Sequence, residues 1–185
     1  MKRLAILGAM LALGGCAGVG GLTPGEIVDV APGTTLPFGE VARVCEVQGD
    51  DLGRELPERA ARGYRLHDSG GSGPRPFYIT GLADGCPRQL TAANVLFATP
   101  STYERLHYGP GGENLPRAAT DAAYEKIKAR VCGAGRGKPC GRRIGTLDKT
   151  TFFVSAYARM GETKSWTEAL VHDGAVVAVA MKSAE

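Results

Sequence analysis

Hydrophobic alternation along the 185-residue chain is clearest in its last third. Thr151 to Ala158 places Phe152, Val154, Ala156 and Ala158 on one side, the period of a strand with one buried face. Trp166 to His172 and Ala175 to Met181 read as two more strands joined by Asp173-Gly174, a dipeptide suited to a tight hairpin, so the segment predicts a three-stranded meander. The run Ala175-Val176-Val177-Ala178-Val179-Ala180-Met181 is apolar on both faces, which predicts a central strand covered from both sides.

Upstream the pattern is more broken. Val41, Ala42, Val44, Cys45 and Val47 mark a first strand, followed by a polar stretch from Gln48 to Gly63 in which Pro57 interrupts any helix. Tyr64 to His67 is a short strand before the loop Asp68 to Pro74, and Phe77 to Leu82 and Cys86 to Ala98 are two strands across Ala83-Asp84-Gly85. Ser101 and Glu104 have capping-box spacing and predict a short helix ending near Tyr108. A second helix begins near Asp121 with Thr120 as its cap. Tyr124, Ile127 and Val131 form its apolar face, Glu125, Lys126, Lys128 and Arg130 populate the others, and Gly133 ends it. The sum is an α+β fold: a mainly antiparallel sheet of about five to seven strands with one or two packed helices, in a single globular domain over residues 26–185.

The N-terminus has the order of an export signal: Lys2 and Arg3, then the uncharged run Leu4 to Leu13, then small residues. Ten apolar residues are about half of the roughly 20 a helix needs to cross a bilayer. Leu13-Gly14-Gly15-Cys16 resembles the lipobox of bacterial lipoproteins. That resemblance covers residues 1–16 alone. It implies removal of residues 1–15, a diacylglyceryl thioether on Cys16, and acylation of the freed amine by a chain such as palmitate. Ala17 in place of Asp implies, by the sorting habit of such lipoproteins, an outer-membrane anchor in the cell envelope, with the domain facing the periplasm. Residues 16–25 then comprise the lipidated cysteine and a glycine-rich tether, Ala17 to Gly25, without charge.

Composition fits this address: 43% hydrophobic and 22% charged residues exclude a wholly disordered chain and a polytopic membrane protein. Setting Cys16 aside leaves Cys45, Cys86, Cys132 and Cys140, an even number in an exported chain. Of the three possible pairings, the short Gly/Pro-rich segment between Cys132 and Cys140 favours that pair, leaving Cys45 with Cys86. A zinc site would want a Cys-x-x-Cys pair or nearby histidines and finds neither, so no metal and no cofactor is expected.

Motifs that approach chemistry fail in detail. Gly133 to Lys138 lacks P-loop spacing and has Pro139 where a magnesium-binding hydroxyl is needed. Gly70-Gly71-Ser72-Gly73-Pro74 is no nucleophile elbow, and His67, Asp68 and Ser69, adjacent on an extended chain, point apart. No catalytic residue is assigned; a hydrolase would have to assemble a triad around His67, His107 or His172 from distant partners. Trp166, the sole tryptophan, reads as a sheet-face residue.

Charge supplies the one asymmetry. Without Lys2 and Arg3 the chain has 20 basic and 19 acidic residues, yet Lys126 to Lys149 holds eight bases (Lys126, Lys128, Arg130, Arg136, Lys138, Arg142, Arg143, Lys149) against Asp148 alone. Arg136, Lys138, Arg142 and Arg143 are the candidate contact for an envelope protein or an anionic envelope polymer. Nucleic acid is not expected as a partner, because no aromatic residues interleave with the charges. The reading is a membrane-tethered, non-enzymatic binding or envelope-assembly module; the alternatives are a periplasmic hydrolase and a small-ligand carrier.

Overall fold

The computed structural model describes residues 27–47 and 49–184. The expected export signal, lipid attachment at Cys16 and tether lie outside these residues. Among the described residues nine strands form two antiparallel sheets, and three helices join them in an α+β fold. The first sheet takes β1 (Val41–Arg43), β2 (Arg54–Glu55), β3 (Arg65–Asp68), β4 (Arg75–Thr80) and β5 (Arg88–Ala92) in the order β1-β5-β4-β3-β2. The second takes β6 (Asn94–Ala98), β7 (Thr151–Tyr157), β8 (Ser165–His172) and β9 (Ala175–Ser183) in sequence order.

The segment read as one strand from Cys86 to Ala98 therefore divides. It pairs with β4 up to Ala92, and at Ala93 it crosses to the other sheet, where the Ala93 amide donates to the Tyr157 carbonyl at 2.8 Å. Small residues permit the crossing: Ala92 and Ala93 are both buried. Between the sheets lies the larger core, in which Leu66, Phe77, Ile79 and Leu90 meet Val95, Phe152, Val154 and Val171. Phe152, Val154 and Ala156 share that face, as their alternation predicts. The two hairpin turns also meet, because the Ala83 amide donates to the Gly174 carbonyl at 3.0 Å. Asp173 and Gly174 both hold positive φ (47° and 80°), the hairpin geometry that Asp-Gly favours.

β9 is an edge strand, not the predicted central one. Its apolar faces are real: Val176 joins the inter-sheet core, and Ala178 lies in the second core under the helices. Covered faces do not require a second neighbouring strand; here a sheet packs on one side and a helix on the other.

The helices α1 (Pro100–His107), α2 (Ala119–Cys132) and α3 (Ile144–Thr150) cover the outer face of the second sheet, burying Tyr103, Tyr124, Ile127 and Leu147 against Phe153 and Leu170. Their caps differ from the expected ones. Thr99, not Ser101, caps α1 by accepting the Thr102 amide at 3.3 Å, with Pro100 in the first turn. Ser101 instead gives its amide (2.9 Å) and its hydroxyl to Asp148. Thr120 lies inside α2, where Asp121 accepts the Ala118 amide at 2.7 Å. Gly133 closes α2 in the left-handed conformation (φ 70°), as predicted.

Both predicted disulfide pairs form. Cys45–Cys86 ties the end of β1 to the β4–β5 turn with Cα atoms 4.4 Å apart, and Cys132–Cys140 closes the loop after α2 at 5.3 Å.

Candidate functional site

Two features are candidates, a basic face and an apolar groove. The basic face is built from the exposed side of α2, the Cys132–Cys140 loop, the turn Gly141–Arg143 and α3. Arg136, Lys138, Arg142 and Arg143 are all exposed, and so are Lys126, Arg130 and Lys149. Among the described residues none of these seven forms an ion pair, and Arg143 instead donates to the Val131 carbonyl at 3.3 Å. Lys128, counted with them from sequence, leaves the patch. Its ammonium is fully buried, 2.7 Å from Glu125 and 2.8 Å from the Tyr108 hydroxyl, and it sits 4.5 Å above the Tyr108 ring.

Glu125 and Glu104 shape the loop. Glu125 accepts the Gly137 amide at 3.2 Å; burial pushes its carboxyl up, but Lys128, Tyr108 and that amide outweigh burial and hold it low. Buried Glu104 accepts the Cys140 amide at 2.9 Å and the Tyr124 hydroxyl at 2.7 Å. The glycine amide that a phosphate cradle would need is thus already committed to a carboxylate. Beside the loop, Arg136 shares a cleft of about 240 Å³ with Arg117, which charge clustering does not mark because it lies nine positions before Lys126.

The groove lies on the outer face of the second sheet. Alternation in β6, β7 and β8 sends Leu96, Ser155, Tyr157, Trp166 and Glu168 to this face, and α1 supplies Tyr103, Leu106 and His107. Leu115 and Pro116 line it as well, and the enclosed volume is about 410 Å³. Tyr157 and Trp166 stack with centroids 6.3 Å apart, while Leu96 and Leu106 are 44% and 55% exposed. Trp166 is therefore a half-buried sheet-face residue that also forms part of a cavity wall.

Beneath the groove is a buried charge network. The Lys182 ammonium, wholly shielded, lies 3.0 Å from Asp121 and 2.7 Å from Glu168 Oε1. Tyr103 donates its hydroxyl to Asp121 at 2.5 Å, and Thr120 donates to Glu168 Oε1 at 2.6 Å. Burial pushes the Asp121 carboxyl up, but the bonds from Tyr103 and Lys182 prevail and hold it below the usual carboxylate range. His107 stacks on Tyr103 at 4.0 Å, and its Nδ1 is buried 4.0 Å from Asp121 Oδ1, with no hydrogen-bond partner among the described residues. Burial, and then the charge on Lys182, lower its pKa to about 4, so the imidazole is neutral at pH 7.

The three histidines stay apart. His67 Nε2 meets Thr80 Oγ1 at 3.2 Å across β3 and β4. His172 lies 2.8 Å from Thr151 Oγ1 and 3.2 Å from Asp173, the order of a hydroxyl–imidazole–carboxylate relay, but Thr151 is 2% exposed and unreachable as a nucleophile. Among the described residues no histidine is bonded to both a carboxylate and a serine hydroxyl. No helix of the described residues is long and apolar enough to cross a membrane. Comparisons with protein-family models, curated proteins and solved structures give no match to this chain.

Proposed function

We propose that this protein is a lipid-tethered, non-enzymatic binding module of the bacterial envelope that engages an anionic partner through its basic face. The observation that supports the reading is that seven exposed, unpaired cations occupy one stretch of chain whose backbone is fixed by a disulfide and by bonds to Glu104 and Glu125. A solvated face made only for solubility needs no such fixing, and mixed charge serves solubility equally well. Like charges held together on a rigid frame attract an acidic surface with little ordering cost on binding.

The mechanism is confinement. Residues 17–25 span at most roughly 30 Å when fully extended, so a lipid on Cys16 keeps the start of the folded domain within that distance of the bilayer surface, and the basic face at high effective concentration toward its neighbours. The test is covalent crosslinking in intact cells, comparing the native protein with a form in which Arg136, Lys138, Arg142 and Arg143 are replaced by glutamine. Mass spectrometry should find a specific acidic protein or anionic polymer trapped by the native form and lost from the variant. The same set of partners with both forms would overturn the reading.

A further inference from the structure

The groove over the second sheet differs in chemistry from the basic face, and its contents point to a ligand of opposite sign. Its walls are mainly aliphatic and aromatic, with Thr102 and Ser155 as hydroxyls, and among the described residues no lysine or arginine lines it; the one acidic side chain on its surface is Glu168. Behind Glu168 the buried cluster holds two carboxylates, Asp121 and Glu168, against the single ammonium of Lys182. One negative charge is left without a buried counterion. Lys182 and Thr120 both address Glu168 Oε1, and neither bond uses Oε2. His107, its side chain nine-tenths buried, lines the same groove and is neutral, and the further cation Arg117, which is exposed, meets the cluster only through the Tyr103 hydroxyl at 3.5 Å.

We propose that this groove binds a small amphipathic organic cation, an amine or quaternary ammonium carried on an apolar or aromatic body. The ammonium lies toward Glu168, and the body packs between Trp166, Tyr157, Leu96 and Leu106. A volume of about 410 Å³ falls in the roughly 300–1,000 Å³ range of small-molecule sites. Electron-rich ring faces add cation–π attraction that a carboxylate ligand would not receive. A fatty acid or other anion would bring a second unpaired negative charge into a low-dielectric site, which is strongly unfavourable. The proposal is independent of any partner of the basic face.

Trp166, the only tryptophan, reports directly on occupancy through its fluorescence. The full chain on phosphatidylcholine vesicles, with protein-free vesicles as blank, is titrated with 4-phenylbutylamine, 4-phenylbutanol and 4-phenylbutyrate at pH 7. The amine should give a saturable change with an affinity at least tenfold above that of the alcohol, and the carboxylate should give none. Glu168→Gln, which retains an acceptor for Thr120 and Lys182, should abolish the preference of amine over alcohol. Leu106→Arg acts at a 55% exposed rim position where folding is not at stake, and it should weaken the amine at least tenfold. Equal or tighter binding of the carboxylate, no saturable response to the amine, or an unchanged amine affinity in Leu106→Arg would each overturn the proposal.

Discussion

Removing one amine, Lys182→Met, should test the buried charge network more sharply than any other single change. The ammonium is wholly shielded and holds Asp121 at 3.0 Å and Glu168 at 2.7 Å. At an effective dielectric near 20, each pair attracts by about 5–6 kcal/mol in gross terms, most of which is offset by the cost of taking three ions out of water. Methionine fills most of the lysine stem, so the loss is electrostatic and not a cavity. What remains is two carboxylates facing one another with hydroxyl and amide donors but no cation, a situation that costs roughly 3–5 kcal/mol.

The assay is urea unfolding at pH 7 with both disulfides intact. If the slope is about 2 kcal/mol/M, the midpoint should fall by roughly 1.5–2.5 M. The pH dependence has a definite sign. In the native protein the Asp121 pKa is depressed, so its contribution is present above the unfolded value near 3.8 and is lost as the pH falls below it. In the variant the stranded carboxylates are raised instead, so protonation relieves them as the pH drops toward 4. The two stability curves should therefore converge on acidification. The triple variant Lys182→Met, Asp121→Asn, Glu168→Gln should regain much of the loss at pH 7. A midpoint shift below about 0.5 M, or parallel curves from pH 7 to pH 4, would refute the claim that these charges are desolvated and coupled.

Other outcomes follow from separate parts of the molecule. Replacing Cys45 and Cys86 by serine frees a closure of 41 residues and should cost about 4 kcal/mol, whereas Cys132 and Cys140, 8 apart, should cost about 2.5 kcal/mol; urea midpoints rank the two. The His107 imidazole should titrate near 4 by proton NMR instead of near 6.5. Because the unfolded chain binds that proton first, native stability should fall as the pH drops from 6.5 toward 4, and His107→Gln should remove that part of the slope. Gly174→Ala should destabilise more than Gly85→Ala although both have positive φ, because a Cβ at Gly174 would lie 2.6 Å from the Ala83 Cβ while that at Gly85 meets open space. Equal thermal shifts would show that the contact between the two hairpin turns yields freely.

Legibility in the sequence followed the locality of the forces. Strand period, the Asp173-Gly174 turn, the Gly133 stop and the pairing of Cys132 with Cys140 depend on residues within a few positions of each other, and the structure has all of them. The switch between sheets at Ala93 depends on which partner each half of the continuous stretch Cys86 to Ala98 meets, Phe77 and Ile79 on one side and Val154 and Ala156 on the other, and no local signal announces it. The edge position of β9 was hidden for the same reason, since alternation reports which faces are covered and not how many strands flank them.

The site was partly legible in a way that explains its own gap. Arg136, Lys138, Arg142 and Arg143 are exposed as charge clustering implies, because ions without partners stay in water. Lys128 broke that rule by finding Glu125 three residues earlier and Tyr108 twenty residues away, and only the first was visible in the sequence. The groove could not be seen at all. Its acidic residue, Glu168, sits in a strand between Trp166 and Leu170 on the same face, and its counterion, Lys182, comes from the adjacent strand. A charged residue at an inward position of an alternating strand is the one sequence signal that could have marked it. Such a residue must either find a buried partner or face a cavity, and Glu168 does both.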